Sequence, residues 1–409
     1  MQKKNKISLL WVVPKWTFPL HDGARVATDA LVKHLSGLGA QVDILVLAPA
    51  CEKECRQTML ESWGIRSVTF LNRDAPKSKM MKFLKMAMRG ILYPLIPLTI
   101  SSFYHFSLRR RTQQFMRDKE WDVLVLDGLH NAGAFFRKGK LMKPPMIKQI
   151  CYRAHNCEPI LWQMAARREK RFFLSKIYSF QGLLMAKFER EVVQKSDVII
   201  PISREDAEDI KKLRPEANIQ VCFIGTQFDQ SYPFIERDEI KLLFLGKMSW
   251  APNREGMQWF LRDIWPTVVA YRDDISLIIA GSGEHAWMNE FLPLKNIQFR
   301  GFVDCLDELY TECDGSIIPL LTGSGTRIKV IESLRYQRPC LSTELGMQGS
   351  TLSAEHYLKA NTTQEWIDLL LQVTRKDLMN LALSGHRLLK NEFDDKHIAE
   401  KFLKSLVHL

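Results

Sequence analysis

The stretch ISLLWVVPKWTFPLHDGARVATDALVKHLSGLGAQVDILVLAP, residues 7–49, decides the fold class. Ile7 to Val13 is a nearly unbroken apolar run of branched and aromatic residues, the pattern of a strand buried on both faces. From Gly23 the apolar residues recur at helical spacing, and the pattern stops at Gly39, a residue type that ends helices. A second apolar run follows in QVDILVLAP. Strand, helix and strand in so short a span form a βαβ unit, from which parallel sheets are built. The basic start MQKKNK ahead of Ile7 is not expected to be a secretory signal. Such a signal needs a longer apolar region and a small-residue cleavage site, whereas Pro14, Lys15 and Trp16 end this run.

The alternation continues outward. WDVLVLDG (121–128), IKQICYRAHN (147–156), SDVIIPIS (196–203) and VCFIG (221–225) read as further strands. TQFDQSYPFIERDE (226–239) is polar, contains Pro and reads as a linker. The pattern restarts with IKLLFLGKMSW (240–250), a helix over 253–271, ISLIIAGSGE (275–284), IQFRGFV (297–303), DGSIIPL (314–320), a helix at 327–336 and RPCLST (338–343). These strands end in Gly, Ser or Thr, and ligands of doubly wound sheets bind beyond such carboxyl ends. The expected fold is therefore α/β, with two Rossmann-like doubly wound domains facing each other across a cleft. The expected domains are 1–228 and 229–386, with a C-terminal helix in 387–409 packing back on the first.

The totals agree. A chain of 409 residues exceeds one comfortable core, and 46% hydrophobic with 25% charged residues is a globular composition. The net charge of +12 favours an anionic partner: nucleotide phosphates, a lipid head-group surface or nucleic acid. Nucleic acid drops out, because no zinc finger, RNP motif or helix-turn-helix accompanies the charge. The eight Cys show no CxxC pair, so reduced thiols in a cytoplasmic protein are expected, and no metal site.

The most cationic and most apolar region is KSKMMKFLKMAMRGILYPLIPLTISSFYHFSLRRRTQQFMRD (77–118). Ile91 to Leu108 lacks charge over 18 residues, the lower limit for a membrane span, but Pro94, Pro97 and His105 argue against spanning. Peripheral contact with an anionic membrane is one reading, through Lys82, Lys85, Arg89, Arg109, Arg110 and Arg111. Helices with a solvated cationic face are the other.

GSGTRIKVIE (323–332) matches neither GxxxxGK[ST] nor GxGxxG. Its glycines let a ligand approach the backbone. A helix starting near Thr326 would aim its free N–H groups and dipole at the loop, and Arg327 would add a charge-assisted contact. A plain glycine turn with a capping hydroxyl fits the segment equally well.

Four segments extend the picture: GKMSWAPNREGMQWFLRDIWP (246–266), LIIAGSG (277–283), IQFRGFVDCLDELY (297–310) and IIPLLTGSGTRIKVIESLRYQRPCLST (317–343). Together, in this order and spacing, they resemble the donor-binding half of the retaining glycosyltransferases of family 4, whose fold is called GT-B. YRAHNCE (152–158) and FEREVVQKSDVIIPISREDAEDI (188–210) are similar to the first domain of the same enzymes.

The resemblance implies transfer of a sugar from a nucleotide-diphosphate donor to a saccharide or lipid-linked saccharide, with retained anomeric configuration, in cell-envelope polysaccharide synthesis. It implies no cofactor beyond the donor and no metal, since cationic side chains fill that role. It places the protein in the cytoplasm, attached peripherally to the inner face of the cytoplasmic membrane. His155, Lys247 and Arg327 match the catalytic positions. Gly23, Asn253, Arg254, Gly301, Val303, Gly323, Ser324, Gly325, Thr326 and Glu332 match the donor-binding ones. Gly23 would face the donor phosphates, the backbone from Gly301 to Val303 the base, and Glu332, the second glutamate of an E-x7-E motif, the ribose hydroxyls. The sequence departs from the motif at Ser324, where the first glutamate is expected to meet the donor sugar. Two other readings accompany this one: a nucleotide-sugar 2-epimerase of the same architecture, and a non-catalytic nucleotide-binding scaffold.

Overall fold

The computed structural model describes residues 6–15, 23–48, 63–73, 79–228, 231–323, 327–350 and 352–407. Ser324, Gly325 and Thr326 lie outside the described residues. The chain forms two compact units, one of Met1–Gly225 with Asp395–Leu409 and one of Thr226–Asp394.

Unit 1 is built on a six-stranded parallel sheet ordered β3-β2-β1-β4-β7-β8. Its strands are β1 (Ser8–Val13), β2 (Gln41–Val46), β3 (Ser67–Phe70), β4 (Trp121–Asp127), β7 (Ile147–Ala154) and β8 (Val198–Pro201), with a hairpin of β5 (Phe136–Arg137) and β6 (Lys140–Leu141) aside. The central strands are buried almost throughout, as their unbroken apolar runs require. Its helices are α1 (Gly23–Leu35), α2 (Lys79–Leu92), the short α3 (Leu98–Ser101), α4 (Phe106–Met116), α5 (Glu158–Arg168), α6 (Phe172–Lys195) and α7 (Arg204–Leu213).

VCFIG (221–225) is not a strand of this sheet. The segment before it runs along β8 through Ile199 N to Asn218 O (2.9 Å), Gln220 N to Ile199 O (3.0 Å) and Cys222 N to Pro201 O (3.0 Å). The pairing amounts to one isolated bridge, Ile199 to Ile219, before the chain turns away at Gly225.

Unit 2 repeats the plan with β9 (Ile240–Leu245), β10 (Ile275–Ala280), β11 (Ile297–Gly301), β12 (Gly315–Ile318), β13 (Cys340–Ser342) and β14 (Leu358–Lys359), all parallel, in the order β11-β10-β9-β12-β13-β14. Its helices are α8 (Ala251–Trp259), α9 (Trp265–Tyr271), α10 (Leu306–Thr311), α11 (Ile328–Arg335), α12 (Thr363–Gln372) and α13 (Arg375–Phe393). The single helix expected over 253–271 is interrupted by a π-helical turn, Phe260–Ile264. Pro266 follows it at the start of α9, where its missing N–H and its ring disrupt the ladder behind it. Trp265, Phe260 and Trp366 pack into the core this run covers.

The break near the C-terminus falls at 394/395 rather than at 386/387. A capping box of Thr374 and Asp377 starts α13, which then runs unbroken to Phe393, so residues 387–393 stay with unit 2. The next helix, α14 (Asp395–Val407), packs on α1 within unit 1. Asp395 pairs with Lys33 (2.7 Å) and His34 (2.9 Å), and the Phe402 ring lies 5.3 Å from that of Trp11.

Candidate functional site

In unit 1 the carboxyl ends of β1, β4 and β7 open into a cavity of about 230 Å³, lined among others by Thr28, Asp127, His130, His155, Asn156 and Glu158. Asp127 ends β4 and is fully buried. It accepts four hydrogen bonds, from Trp11 Nε1 (2.8 Å), Thr28 Oγ1 (2.6 Å), Arg153 Nη1 (2.9 Å) and His155 Nε2 (2.5 Å). Burial alone would raise its pKa. The Arg153 guanidinium and the His155 ring more than offset this and hold the carboxyl well below the usual carboxylate range. An ionised Asp127 can only accept, so the shared hydrogen belongs to His155 Nε2. Arg153 is itself buried and donates its Nη2 to Ala27 O (3.1 Å), which ties α1 to the network.

Two further titratable groups share the cavity. Burial pushes His130 down to about 4, aided by the positive charges of Arg73 and Lys15, so its ring is neutral at pH 7. Burial, with the Asp206 charge, pushes Glu158 up to about 7. The two stand 3.9 Å apart, His130 Nδ1 to Glu158 Oε1. Behind them Glu189, raised to about 8 by burial, accepts from Tyr152 Oη at 2.7 Å.

In unit 2 the chain beyond β9, β10 and β11 forms a flat glycine floor. Gly246 N donates to Ala280 O (3.0 Å), Gly281 N to Gly301 O (2.7 Å) and Met248 N to Ser282 O (2.7 Å). Gly281 has φ +144°, and a Cβ there would lie 1.7 Å from Gly246 O, so no other residue fits.

The cations gather beside this floor. Lys329, in the first turn of α11, points its Nζ at Asn253 Oδ1 (2.8 Å) and over the Phe244 ring, 4.5 Å from its centre. Asn253 Nδ2 in turn donates to Lys247 O (3.0 Å). Burial, with the nearby Arg327 charge, pushes Lys329 down to about 7. Glu332, one turn further along α11, is half-buried and pushed up to about 7 by burial. Its carboxylate has no hydrogen-bond partner among the described residues, nor has the exposed ammonium of Lys247. Arg327 is buried immediately before α11, and a Cβ on Gly323 would lie 3.5 Å from its guanidinium.

The site residues expected from sequence fall as follows. Lys247, Asn253, Gly323, Arg327 and Glu332 gather around the end of β9 and the start of α11. Arg254 is exposed on α8, Gly301 ends β11 at φ +62°, and Val303 is half-buried against the Leu309–Tyr336 cluster. Gly23 is the first residue of α1.

Lys329 was not expected, although it lies three residues before Glu332 on one helix, a spacing that puts both on a common face. Asp127, Arg153 and His130 were not expected either. A carboxylate closing an otherwise apolar strand in WDVLVLDG was the available signal for Asp127.

The side chains of the basic stretch are placed unequally. Arg89 is buried and Lys85 half-buried. Arg109 donates to Phe136 O (3.0 Å) and Arg111 to Asn72 O (2.6 Å), leaving Arg110 exposed. The Lys82 side chain lies outside the described residues.

Residues 239–375 match the family model described as "Glycosyl transferases group 1". The whole chain is similar to an uncharacterised 44.6 kDa protein in the cps region of Klebsiella pneumoniae, 21% identical over 95% of this chain and 96% of that one. Among solved structures, a mutant of S. aureus TarM in complex with fondaparinux, α-GlcNAc-glycerol and UDP superposes with a TM-score of 0.66 at 10% identity, covering 98% of this chain and all of that one. Anabaena HepE in complex with UDP-glucose gives 0.63 at 14% identity over the same shares. WaaG, a glycosyltransferase involved in lipopolysaccharide biosynthesis, gives 0.62 at 13% identity over 98% and 99%. The fold is thus the pair of Rossmann-like parallel-sheet domains of the GT-B glycosyltransferases.

Proposed function

We propose that the chain is a glycosyltransferase that moves a sugar from a nucleotide-diphosphate donor to a saccharide or lipid-linked saccharide in envelope polysaccharide synthesis, with retained anomeric configuration. The observation that carries the proposal is the unit 2 cluster itself. It holds a glycine floor, a half-buried ammonium at Lys329, an exposed ammonium at Lys247 and a half-buried carboxylate at Glu332 without a hydrogen-bond partner among the described residues, inside the stretch matched by the glycosyltransferase model. A charge withdrawn from water with few partners is costly unless a ligand completes it. A diphosphate answers the cations, and the vicinal hydroxyls of a ribose answer an acceptor-only carboxylate. HepE was solved with UDP-glucose and TarM with UDP, which favours a uridine donor here. The neighbourhood of the Klebsiella relative, a cps region, supports the polysaccharide context.

In the proposed reaction the bond between the anomeric carbon and the diphosphate oxygen breaks, and negative charge grows on the leaving diphosphate. Lys247, Arg327, Lys329 and the N-terminus of α11 meet that charge, which is catalysis by preorganised electrostatics. The acceptor hydroxyl attacks the same carbon and passes its proton to the departing phosphate. In unit 1 the His155 ring, fixed by Asp127, offers Nδ1 to a sugar hydroxyl, and Glu158 and His130 offer further polar contacts in the same cavity.

The test is turnover. The protein is incubated with UDP-, GDP- and TDP-sugars, with and without saccharide acceptors, and free nucleotide is measured. The expected result is release from one donor class, with the product's anomeric configuration read by NMR. A folded protein that binds nucleotide but turns over no donor is a scaffold, and the proposal fails.

A further inference from the structure

The segment that carries His130 into the unit 1 cavity leads on to a second recess. It is a 3-10 helix, His130–Phe135, whose 6 residues span about 10 Å. At its far end the hairpin of β5 and β6 faces α4 across a space of about 250 Å³, lined among others by Phe106, Arg109, Arg110, Gln113, Phe136 and Arg137. Phe106, Arg109, Arg110 and Gln113 are spaced by three or four residues and so share one face of α4. Arg109 is fixed there: its Nη1 donates to Phe136 O (3.0 Å), and its guanidinium lies over the Tyr104 ring, 4.8 Å from the centre. Among the described residues no carboxylate lines the recess. From Lys77 to Arg117, and again from Gly128 to Cys157, the sequence contains no Asp or Glu. Glu191, which supports the hairpin by accepting from Leu141 N at 3.2 Å, does not line it either.

The hairpin is built against its own charge. Arg137 and Lys140 stand directly opposite each other in the β5–β6 pair, where like charges repel. Lys138 and Gly139 make the two-residue turn at φ +50° and +78°, a turn that Asn, Asp or Gly usually begins. The side chains of Arg110, Arg137, Lys138 and Lys140 are exposed and make no hydrogen bond or ion pair among the described residues. A ligand that brings negative charge relieves this repulsion. We infer that the recess is a binding site for an acidic saccharide, whose anionic group is held by Arg109, Arg110 and Arg137. Guanidinium groups meet the oxygens of such an anion through charge-assisted, often paired, hydrogen bonds. Phe106, 62% exposed, offers apolar surface to the C–H face of a sugar ring, and the Gln113 amide can both donate to and accept from its hydroxyls. The space is smaller than the roughly 300–1,000 Å³ of sites for drug-sized molecules, which suits one ring of a longer chain. A recess suits a ring that enters it better than a flat lipid surface that passes over it. That this ring is a distal part of the acceptor, with the chain running on toward the His155 cavity, rests on the transferase reading; binding of the acidic saccharide does not.

The test measures binding with no nucleotide sugar present, so its result stands whether or not turnover is found. Full-length protein is titrated by calorimetry with hexagalacturonate and with its fully methyl-esterified form, which keeps the sugar skeleton and removes the charge. Binding is expected to the acid only, and to weaken as salt rises. Arg137→Gln with Lys140→Gln should lower the affinity by about tenfold for each cation lost. The same variant should unfold no earlier than wild type, because a repulsion has been removed. Arg110→Gln with Gln113→Ala, on α4, should also weaken binding, and serves as an independent variant should the hairpin change fail to fold. Both should leave donor hydrolysis unchanged. Four outcomes overturn the inference: hexagalacturonate that does not bind, an ester that binds as tightly as the acid, folded variants that bind like wild type, or a charge-matched oligodeoxynucleotide that binds more tightly than the saccharide.

Discussion

The Asp127 cluster in unit 1 and the Lys329 cluster in unit 2 both withdraw charge from water at the carboxyl ends of a parallel sheet, and they treat it in opposite ways. Asp127 is met by four donors, one of them Arg153 in a buried ion pair. Lys329 and Glu332 are held near neutrality by burial, with one amide for the ammonium and nothing for the carboxylate among the described residues. A closed cluster positions a group, here His155. An open one waits for a ligand to complete it.

The sharpest way to break the comparison is Asp127→Asn. Leaving Arg153 buried without its counter-ion should cost about 3–5 kcal/mol, seen as earlier urea unfolding of unit 1. An unchanged midpoint would mean that the cluster is not the closed element described. Asp127 also ties stability to pH. Its folded pKa is depressed, so its contribution is full above its unfolded value and is lost as pH falls below about 4.

Lys329→Met should do the reverse. Removing a half-buried charge that has one amide partner should leave unfolding unchanged or later, while UDP affinity by calorimetry drops about 10–100-fold. Reduced stability with unchanged affinity would assign Lys329 to the closed class.

The pH dependence of nucleotide binding sharpens the contrast further. A diphosphate favours protonated Lys329, so affinity should fall as pH rises above about 7. Ribose hydroxyls favour ionised Glu332, so affinity should also fall as pH drops below about 7. The expected profile is a narrow maximum near neutrality. Lys329→Met should remove the alkaline limb and Glu332→Gln the acid one, and a flat wild-type profile would refute both assignments.

The smallest expected effect is Thr28→Val, which deletes one of the four donors to Asp127. About 1 kcal/mol of stability should be lost, with His155 still oriented, so turnover should change little.

The two clusters also differed in how far they could be read beforehand. The unit 2 cluster is largely local: Gly323, Arg327 and Glu332 fall within ten residues, and helical spacing alone would have added Lys329. The Asp127 cluster draws on Trp11, Thr28, Asp127, Arg153 and His155, which four separate elements or their ends bring together. No sequence window contains that arrangement, and only His155 was reached, by resemblance. The strands were legible because burial on both faces forces unbroken apolar runs, as in β1 and β4. VCFIG misled for the same reason: it is apolar because it is buried under α14, where Cys222 Sγ faces Ile398 O at 3.7 Å, not because it pairs in the sheet. For α2 the amphipathic pattern was visible, but which face would turn outward was not, because an apolar stripe normally turns in.

The packing of α14 onto α1 bears on how this protein is made. Phe402 is fully buried beside Trp11, and Asp395 anchors Lys33 and His34, so unit 1 encloses residues that follow all of unit 2 in the chain. During synthesis, unit 2 has its whole sequence before unit 1 does. The first half to leave the ribosome is therefore the last to close, and until Phe402 arrives its Trp11 side lacks a cover. A chain stalled or cleaved before Asp395 would carry a complete unit 2 beside an open unit 1, and that exposed core is where a chaperone or protease would first take hold.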